Sequence, residues 1–305
     1  MRKVLISLVV LVTILTINLY SQQLPLYSQY MLNDFFINPA IAGSKQYSPV
    51  LVSIHKQWVG INDSPSTQTL SGHTMLSNNN VGLGAIIFND DFGPESHLGL
   101  MAIYSYHFHI DRLNKISLGL SAIAFQYKMD QRFFHLTVYD DPAITYMVEK
   151  TIVPDATFGA YAYGKRYWGG ITASHLFQSK LKINRNVDEN KMVRHYFAMA
   201  GYRFLFPNSP QFEIEPSFLM KTTEVTPPQF DINLKIFYDK DYWFGMSIRP
   251  GDSFVACLGF KHNQYYFGYA YDFTFSDLSA YTIGSQEIIF GMNIGENVRR
   301  SRSFF

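Results

Sequence analysis

The sequence is poor in charge and nearly free of cysteine. Charged residues make up 16% of the 305 residues, against about 25% in an ordinary soluble domain. The formal net charge is only +1, so the chain lacks the basic field of a nucleic-acid-binding protein and we expect no nucleic-acid partner. The single cysteine, Cys257, excludes intrachain disulfides and metal sites built from several cysteines.

Long apolar runs are missing beyond the N-terminus. Residues 1–21 combine Arg2 and Lys3 with the apolar stretch Val4–Ile17 and the small residue Ser21. This order predicts a secretory signal peptide that is removed before folding, with a retained membrane anchor as the alternative. After Ser21 no apolar run approaches about 18 residues, so the sequence predicts no transmembrane helix.

Aromatic residues are abundant, at 16% of the chain, yet the mean hydropathy is −0.04. Strands that alternate apolar and polar side chains average out in this way. The stretch FDINLKIFY, Phe230–Tyr238, shows this alternation, with Asp231, Asn233 and Lys235 between the apolar residues. A period of two predicts a β-strand with one apolar face. The stretch alone leaves open whether that face meets a protein core or lipid.

Similar segments recur to the end of the chain. Their number, fourteen, is even, and most have the length that a tilted strand needs to cross a membrane. The predicted strands are Ser48–Gln57, Thr67–Leu76, Val81–Asp90, His97–His109, Lys115–Tyr127, Asp155–Gly164, Arg166–Leu176, Arg194–Leu205, Gln211–Lys221, Gln229–Tyr238, Tyr242–Arg249, Phe254–Lys261, Gln264–Tyr271 and Ser285–Ile294.

The connections between these strands alternate in length. Every second connection is short, at 77–80, 110–114, 164–165, 206–209, 239–240 and 262–263. The others are mostly long, at 58–66, 91–96, 128–154, 177–193 and 272–284, and only 250–253 is short. In an up-and-down meander the two sets lie at opposite ends, as do the short periplasmic turns and long extracellular loops of outer-membrane barrels. The sequence therefore predicts an all-β fold, a transmembrane antiparallel β-barrel of about 14 strands.

This prediction divides the chain into four parts. They are the signal peptide 1–21, an irregular N-terminal segment 22–47, an outer-membrane β-barrel 48–294 and a C-terminal tail 295–305. An eight-stranded barrel is already filled by its side chains, so a barrel of about fourteen strands has a wider lumen. The lumen is either an open channel or is occupied by residues 22–47 or by residues 128–154. If residues 22–47 do not occupy the lumen, we expect them to be periplasmic.

Charged and aromatic residues fit the predicted faces. Seven charged residues fall on the inward face, where they line a pore or hold a plug: Glu213, Glu215, Lys221, Asp231, Lys235, Arg249 and Lys261. Tyrosines and tryptophans cluster near strand ends, as in the aromatic girdles of membrane barrels. By alternation, Trp168 and Trp243 point inward instead.

Signals for catalysis or metal binding are weak. His107 and His109 are two residues apart on one strand face, but the sequence places no third ligand beside them, which favours polar lumen residues. No nucleophile elbow accompanies the serines, so a hydrolase on the barrel wall is a minor alternative. The pairs Asp140-Asp141 and Asp188-Glu189 lie on predicted outer loops, where solvated charge is favoured over calcium binding. We therefore expect no enzyme activity, no cofactor and no metal site.

Several blocks of the chain resemble the PorP/SprF family, Bacteroidetes outer-membrane proteins linked to type IX secretion and gliding motility. The blocks are QYMLNDFFINPAIAGS (29–44) with KQWVG (56–60), GLGAIIFNDDFGP (82–94), RPGDSFVACLGF (249–260), FGYAYDFTFSDLS (267–279) and GSQEIIF (284–290). The resemblance spans roughly Gln22 to Ile294. His55 stands where the family often has arginine, and Gln286 where it usually has histidine; these two departures concern partner specificity more than the fold.

The resemblance implies a barrel in the outer membrane of a Bacteroidetes-type bacterium. It implies contact with outer-membrane lipid, with a secreted adhesin-like protein carrying a C-terminal sorting domain, and with periplasmic components of the type IX machine. A passive porin or small-solute channel is the alternative. The positions that the resemblance marks as partner-binding or structural are Asn38, Pro39, Ala40, Gly43, Gln57, Trp58, Gly60, Arg249, Asp252, Tyr271, Asp272 and Glu287. Asn-Pro and glycine form turns in any protein, so a purely structural role is the alternative for these residues.

Overall fold

The computed structural model describes residues 33–76, 80–133, 147–181 and 191–296. These residues form fifteen β-segments that belong to one antiparallel sheet. They are β1 (Ser48–Lys56), β2 (Ser66–Met75), β3 (Val81–Phe92), β4 (Glu95–His109), β5 (Lys115–Asp130), β6 (Val148–Tyr163), β7 (Tyr167–Ser174), β8 (His195–Tyr202), β9 (Phe204–Leu205), β10 (Phe212–Thr223), β11 (Gln229–Tyr238), β12 (Tyr242–Arg249), β13 (Ser253–His262), β14 (Tyr265–Thr274) and β15 (Ser285–Ile294).

The sheet closes into a barrel of fourteen wall strands, which confirms the predicted fold. β8 and β9 both pair with β10 and are separated only by Arg203, so they form one interrupted wall strand. Successive strands pair around the wall, and β1 pairs with β15 from Ser48↔Ile294 to Lys56↔Gln286. Closure gives each wall strand two neighbours, which satisfies the backbone groups that lipid cannot satisfy.

The two faces of β11 resolve the question that its alternation raised. Ile232 is 61% exposed on the outer face, whereas Asp231 is 1% exposed inside the barrel. The same arrangement continues around the wall, whose outer face carries large apolar side chains that the protein leaves uncovered. They include Val52, Ile54, Leu70, Ile87, Leu100, Leu120, Ile171, Phe218, Ile248, Leu258, Ile288 and Phe290. An apolar band of this kind faces the hydrocarbon layer of the outer membrane.

Aromatic side chains ring the barrel at the end that carries the short turns. The exposed members of this ring are Tyr106, Phe108, Tyr167, Tyr202, Phe204, Phe212, Tyr238, Tyr242, Phe260 and Tyr265. Their position at one edge of the apolar band is that of an interfacial girdle. Trp243, by contrast, is only 4% exposed and lines the lumen together with Trp168, as the alternation predicted.

The prediction of a loop at 91–96 is wrong. β3 continues to Phe92 and β4 begins at Glu95, so only Gly93 and Pro94 form the turn. β5 and β6 are likewise longer than predicted, at 16 residues each. The charged and polar residues at these strand tips resemble loop residues in sequence, but they continue the β3–β4 ladder, where Asp91 is opposite Ser96 and Phe92 is opposite Glu95. The β3–β6 hairpins therefore extend the wall at the long-loop end.

Some predicted features lie outside the described residues. They are the signal peptide 1–21, residues 22–32 of the N-terminal segment, the acidic pairs Asp140-Asp141 and Asp188-Glu189, and residues 297–305 of the tail. Within the described ranges, none of the helices has the length and apolar character needed to cross a membrane.

A lysine on the outer face tests what that face meets. Leu258 lies in the middle of β13 and is 54% exposed. Leu258→Lys should lower the free energy of unfolding by about 2–4 kcal/mol in a lipid bilayer. On a water-exposed strand face the same change would stay within about 0.5 kcal/mol. Urea unfolding from lipid vesicles measures the difference, with Leu258→Met as the control. Equal stability of the two variants would contradict a lipid-facing wall.

Candidate functional site

The barrel lumen holds part of the chain itself. Residues 33–47, which we call the lumen plug, contain two one-turn 3-10 helices, Asp34–Phe36 and Pro39–Ile41. Ala40, Ile41 and Ala42 are fully buried, at 0% exposure. The second turn packs against β4, β5 and β6. The plug therefore occupies one side of the lumen.

Glycines in the wall let the plug approach the wall backbone. A Cβ atom at Gly119 of β5 would collide with the backbone of Pro39 and Ala40, and one at Gly82 of β3 with the carbonyl of Ala42. Gly159 of β6 and Gly170 of β7 meet the Asn38 side chain in the same way. We call Gly82, Gly119, Gly159 and Gly170 the glycine seat. Any larger residue in the seat displaces either the wall or the plug.

Asn38 ties the plug to two wall strands. Its Oδ1 accepts a hydrogen bond from Ala40 N at 2.9 Å, which caps the turn that starts at Pro39. Its Nδ2 donates to the carbonyl oxygens of Ala160 at 3.0 Å and Ile171 at 3.4 Å. One buried amide thus fixes the shape of the plug and its position on β6 and β7.

Inward serine and histidine side chains bind the remaining plug backbone. Ser117 Oγ donates to Ala40 O at 2.6 Å, and Ser105 Oγ donates to Ala42 O at 2.6 Å. His107 Nε2 lies 2.7 Å from Ala42 O. These contacts supply the partners that buried backbone groups require. His107 is therefore a lumen polar residue, as the sequence favoured, whereas His109 is exposed at the end of β4.

Gly43 turns the plug with a backbone conformation that other residues rarely adopt. Its φ of +74° lies in the left-handed region, and an added Cβ would be 2.8 Å from Gly82 Cα. Its N–H donates to His73 Nδ1 at 3.1 Å. The chain turns here away from the glycine seat and toward β1.

The opposite side of the lumen is a charged wall, formed by Arg203, Glu213, Glu215 and Lys235. Arg203 Nη2 is 2.7 Å from Glu215 Oε2, and its Nη1 is 3.2 Å from Glu213 Oε2. Lys235 Nζ is 3.0 Å from Glu215 Oε1. All four side chains are less than 10% exposed. The predicted inward position of Glu213, Glu215 and Lys235 is confirmed.

A cavity of about 110 Å³ separates the plug from the charged wall. The plug contributes Asp34, Lys45 and Tyr47 to its lining, and the barrel contributes, among others, Arg203, Glu215, Lys235, Phe237, Trp243 and Tyr266. The lumen is thus packed tightly against the glycine seat and more loosely against the charged wall.

Three of the positions marked by the family resemblance meet at the edge of the barrel that carries the long loops, which we call the long-loop rim. Arg249 Nε donates to Asp231 Oδ1 at 3.0 Å, and its Nη1 donates to Asp252 Oδ2 at 3.0 Å. Asp272 Oδ2 lies 3.9 Å from Arg249 Nη1. Arg249 therefore joins β11, β12, β14 and the 250–252 turn from inside the barrel.

Loops 57–65 and 275–284 are fastened together beside that rim. Val59 N donates to Gly284 O at 2.8 Å, and Ile283 N donates to Val59 O at 2.9 Å. Tyr271 OH also donates to Ile283 O. Gln57 N bonds to Pro65 O at 2.9 Å, Trp58 N bonds to Ser285 Oγ at 3.2 Å, and both Trp58 and Gly60 have positive φ angles. These two loops therefore have a defined conformation, and they cover the end of the β1–β15 pair.

The twelve marked positions do not form one site. The plug contains Asn38, Pro39, Ala40 and Gly43. All the other marked positions except Glu287 lie in the long-loop rim or make hydrogen bonds to it. Glu287, 1% exposed, faces the lumen opposite His55 in the β1–β15 register.

The glycine seat and its serines were missed as a site, although their signal is present: Ser117, Gly119 and Ser121 alternate on one inward face. Within the described ranges no three His, Cys, Asp or Glu side chains form a metal-binding group.

Comparison with known structures shows the fold. The CymD monoaromatic hydrocarbon channel has 12% identity and a TM-score of 0.50, over 90% of this chain and 94% of that one. A Pseudomonas aeruginosa FadL homologue has 9% identity and a TM-score of 0.48, over 85% and 92%. Acinetobacter baumannii Omp33 has 8% identity and a TM-score of 0.48, over 83% and 99%. At these identities the likeness concerns the outer-membrane barrel fold alone.

Comparison of sequences identifies the family. No curated protein matches the chain significantly. The family model described as type IX secretion system membrane protein PorP/SprF matches residues 19–292, most of the chain. Together with the closed barrel and its apolar outer face, this match means that the chain belongs to the PorP/SprF family and lies in the outer membrane of a Bacteroidetes-type bacterium.

Proposed function

We propose that this barrel is a plugged anchor for protein export rather than an open pore. It binds a large secreted adhesin-like protein through that protein's C-terminal sorting domain, and assists its export and attachment to the cell surface in type IX secretion and gliding motility. At the short-turn end it contacts periplasmic components of the same machine. The observation that carries this proposal is the lumen plug, because a buried segment of the chain fills space that an open pore leaves to water.

The plug supports an anchoring role through its contacts. Its backbone touches the glycine seat, and wall side chains bind the carbonyls of Ala40 and Ala42. Buried hydrogen bonds of this kind leave unsatisfied groups behind if the plug departs. A stably filled lumen leaves the rim loops as the surface with which a large partner interacts.

The long-loop rim has the properties of such a surface. Phe275, Tyr281 and Ile283 are 68%, 75% and 66% exposed, on a loop that hydrogen bonds hold in place. Ordered apolar side chains that the protein does not cover often mark interaction sites. In this proposal Gln57, Trp58, Gly60, Arg249, Asp252, Tyr271 and Asp272 position the rim loops, and Asn38, Pro39, Ala40 and Gly43 position the plug.

A small-solute channel is the second candidate, and the cavity favours it. The cavity lies against charged side chains, as a polar solute path does, and displacement of the plug would widen it. The two functions differ in what the intact protein conducts, so conductance separates them.

A single methyl group in the glycine seat tests the plug. Gly119→Ala places a Cβ against the backbone of Ala40, so we expect the plug to shift and a steady conductance to arise. Planar-bilayer recording of purified protein measures it. The wild type and the control Gly72→Ala, where a Cβ meets nothing closer than 3.4 Å, should stay near baseline. A large steady conductance of the wild type would favour the channel over the anchor.

Rim substitutions test the binding role. Tyr281→Ser with Ile283→Ser removes exposed apolar area, and we expect about tenfold less of the secreted protein to co-purify with the tagged barrel. The matched control is Ile110→Ser with Leu113→Ser, which are 63% and 52% exposed at the opposite rim. Quantitative mass spectrometry of the purified complexes provides the measurement. An equal loss at both rims, or at neither, would contradict partner binding at the long-loop rim.

A further inference from the structure

Loops 57–65 and 275–284 form one ordered unit at the long-loop rim. The carbonyl oxygen of Val59 accepts hydrogen bonds from Ile283 N at 2.9 Å and from Thr282 Oγ1 at 3.0 Å. The structure describes both loops from end to end. A partner that binds this unit meets a surface that is already in place, so binding costs little ordering entropy.

The longer loop carries four large apolar side chains on its surface. Phe275, Leu278, Tyr281 and Ile283 are all exposed, and we call these four residues the docking face. A one-turn 3-10 helix, Asp277–Ala280, lies between Phe275 and Tyr281 and gives that part of the loop a regular backbone. Two of the four side chains are aromatic, and an aromatic ring attracts cations as well as apolar groups.

The charge around the docking face is negative. The sequence of the two loops contains two aspartates, Asp63 and Asp277, and no lysine, arginine or histidine. Both aspartates are exposed. Gly93 N donates to Asp63 O at 2.9 Å, which places the β3–β4 hairpin beside the shorter loop. That hairpin adds the exposed carboxylate of Asp91.

The flanking cations are engaged with other groups of the protein. Lys56 Nζ donates to Ser64 O at 2.6 Å at the start of the shorter loop. Arg249 is buried and binds the carboxylates of Asp231 and Asp252. The loops and their flanking groups therefore leave an excess of negative charge beside the docking face.

This negative charge distinguishes two apolar occupants. Exposed aromatic side chains at the edge of a membrane barrel also fit the lipid interface. Lipid phosphates are anionic, however, so carboxylates beside the docking face are repelled by a phosphate-rich surface. A basic polypeptide gains from the same carboxylates, because complementary charge promotes the correct encounter and disfavours wrong partners.

We propose that the docking face binds a basic, apolar polypeptide segment of the secreted protein. The apolar side chains of the segment pack against Tyr281 and Ile283, and its lysine or arginine side chains lie beside Asp63 and Asp277. The assignment of the segment to the secreted protein rests on the proposed function, whereas its chemistry rests on the two loops.

Binding of synthetic peptides tests the charge preference. The full-length barrel is placed in phosphatidylcholine nanodiscs, whose lipids have no net charge, and is titrated with two short fluorescent peptides. One alternates valine with lysine, and the other alternates valine with glutamate. The basic peptide should bind at least about tenfold more tightly, because it gains surface ion pairs where the acidic peptide is repelled. High salt should reduce this preference.

Matched substitutions locate the preference at the docking face. Asp63→Asn with Asp277→Asn keeps the shape of both side chains, and asparagine tolerates the φ of 56° at position 63. This variant should bind the basic peptide about threefold to tenfold more weakly, since each surface ion pair contributes little. The control, Asp239→Asn with Asp241→Asn, removes two exposed carboxylates at the short-turn end and should bind as the wild type does.

A second variant separates charge from loop shape. Ser279→Lys with Ala280→Lys adds positive charge at two exposed positions and leaves both loop carboxylates in place. It should weaken binding of the basic peptide to a similar extent and strengthen binding of the acidic peptide.

Three outcomes would overturn the proposal. Equal affinity of the two peptides for the wild type would remove the charge selection. An equal loss in the control at the short-turn end would indicate general attraction by the whole barrel. Strong quenching by brominated lipid of a fluorophore attached at Ile283→Cys, in a Cys257→Ser background without peptide, would show that the docking face lies in lipid.

Co-purification of the secreted protein distinguishes this proposal from the proposed function. If the asparagine variant retains the secreted protein while Tyr281→Ser with Ile283→Ser loses it, binding at the rim is supported and the charge selection is contradicted. If the serine variant also retains the secreted protein, the proposed function at this rim is contradicted, whatever the peptides do.

Discussion

Contact between the lumen plug and the glycine seat is the interaction on which the rest of the structure depends. Lipid requires a closed wall, and a wall of fourteen strands encloses more space than its own side chains fill. Glycines at four wall positions let the plug backbone and the Asn38 side chain replace the missing volume. Serine and histidine side chains on the same strands then bind the plug there, by hydrogen bonds to the carbonyls of Ala40 and Ala42.

The charged wall and the rim network follow from this asymmetry. The plug occupies the β3–β7 side, so the β10–β12 side carries buried ions that must pair with one another. Arg203 and Lys235 share Glu215 there, and Arg249 gathers three aspartates at the rim. Ion pairs of this kind stabilise little by themselves, but removing one partner is costly because the other charge is left buried. They fix the strands that carry the rim loops.

Much of the fold was predictable because its physical causes are local. Alternation in Phe230–Tyr238 and its thirteen counterparts gave the strands, and alternating loop length gave the two ends of the barrel. The hairpin at 91–96 was missed because Asp91 and Glu95 look like loop residues, while in the structure they continue the β3–β4 ladder. The glycine seat was missed because close approach of two distant segments depends on the register of four strands. The sequence shows each glycine, but it does not show that the register of the four strands places these glycines side by side.

Burial of the plug is the central claim, and thiol accessibility measures it most directly. In a Cys257→Ser background, Ala42→Cys places one thiol at a position with 0% exposure, and Lys150→Cys places one at an exposed position. In folded barrels reconstituted in lipid, a water-soluble maleimide should label position 150 rapidly, and it should label position 42 at least about a hundredfold more slowly. Denaturant, which opens the barrel, should remove this difference in labelling rate. Equal labelling rates at both positions in the folded protein would contradict a plugged lumen.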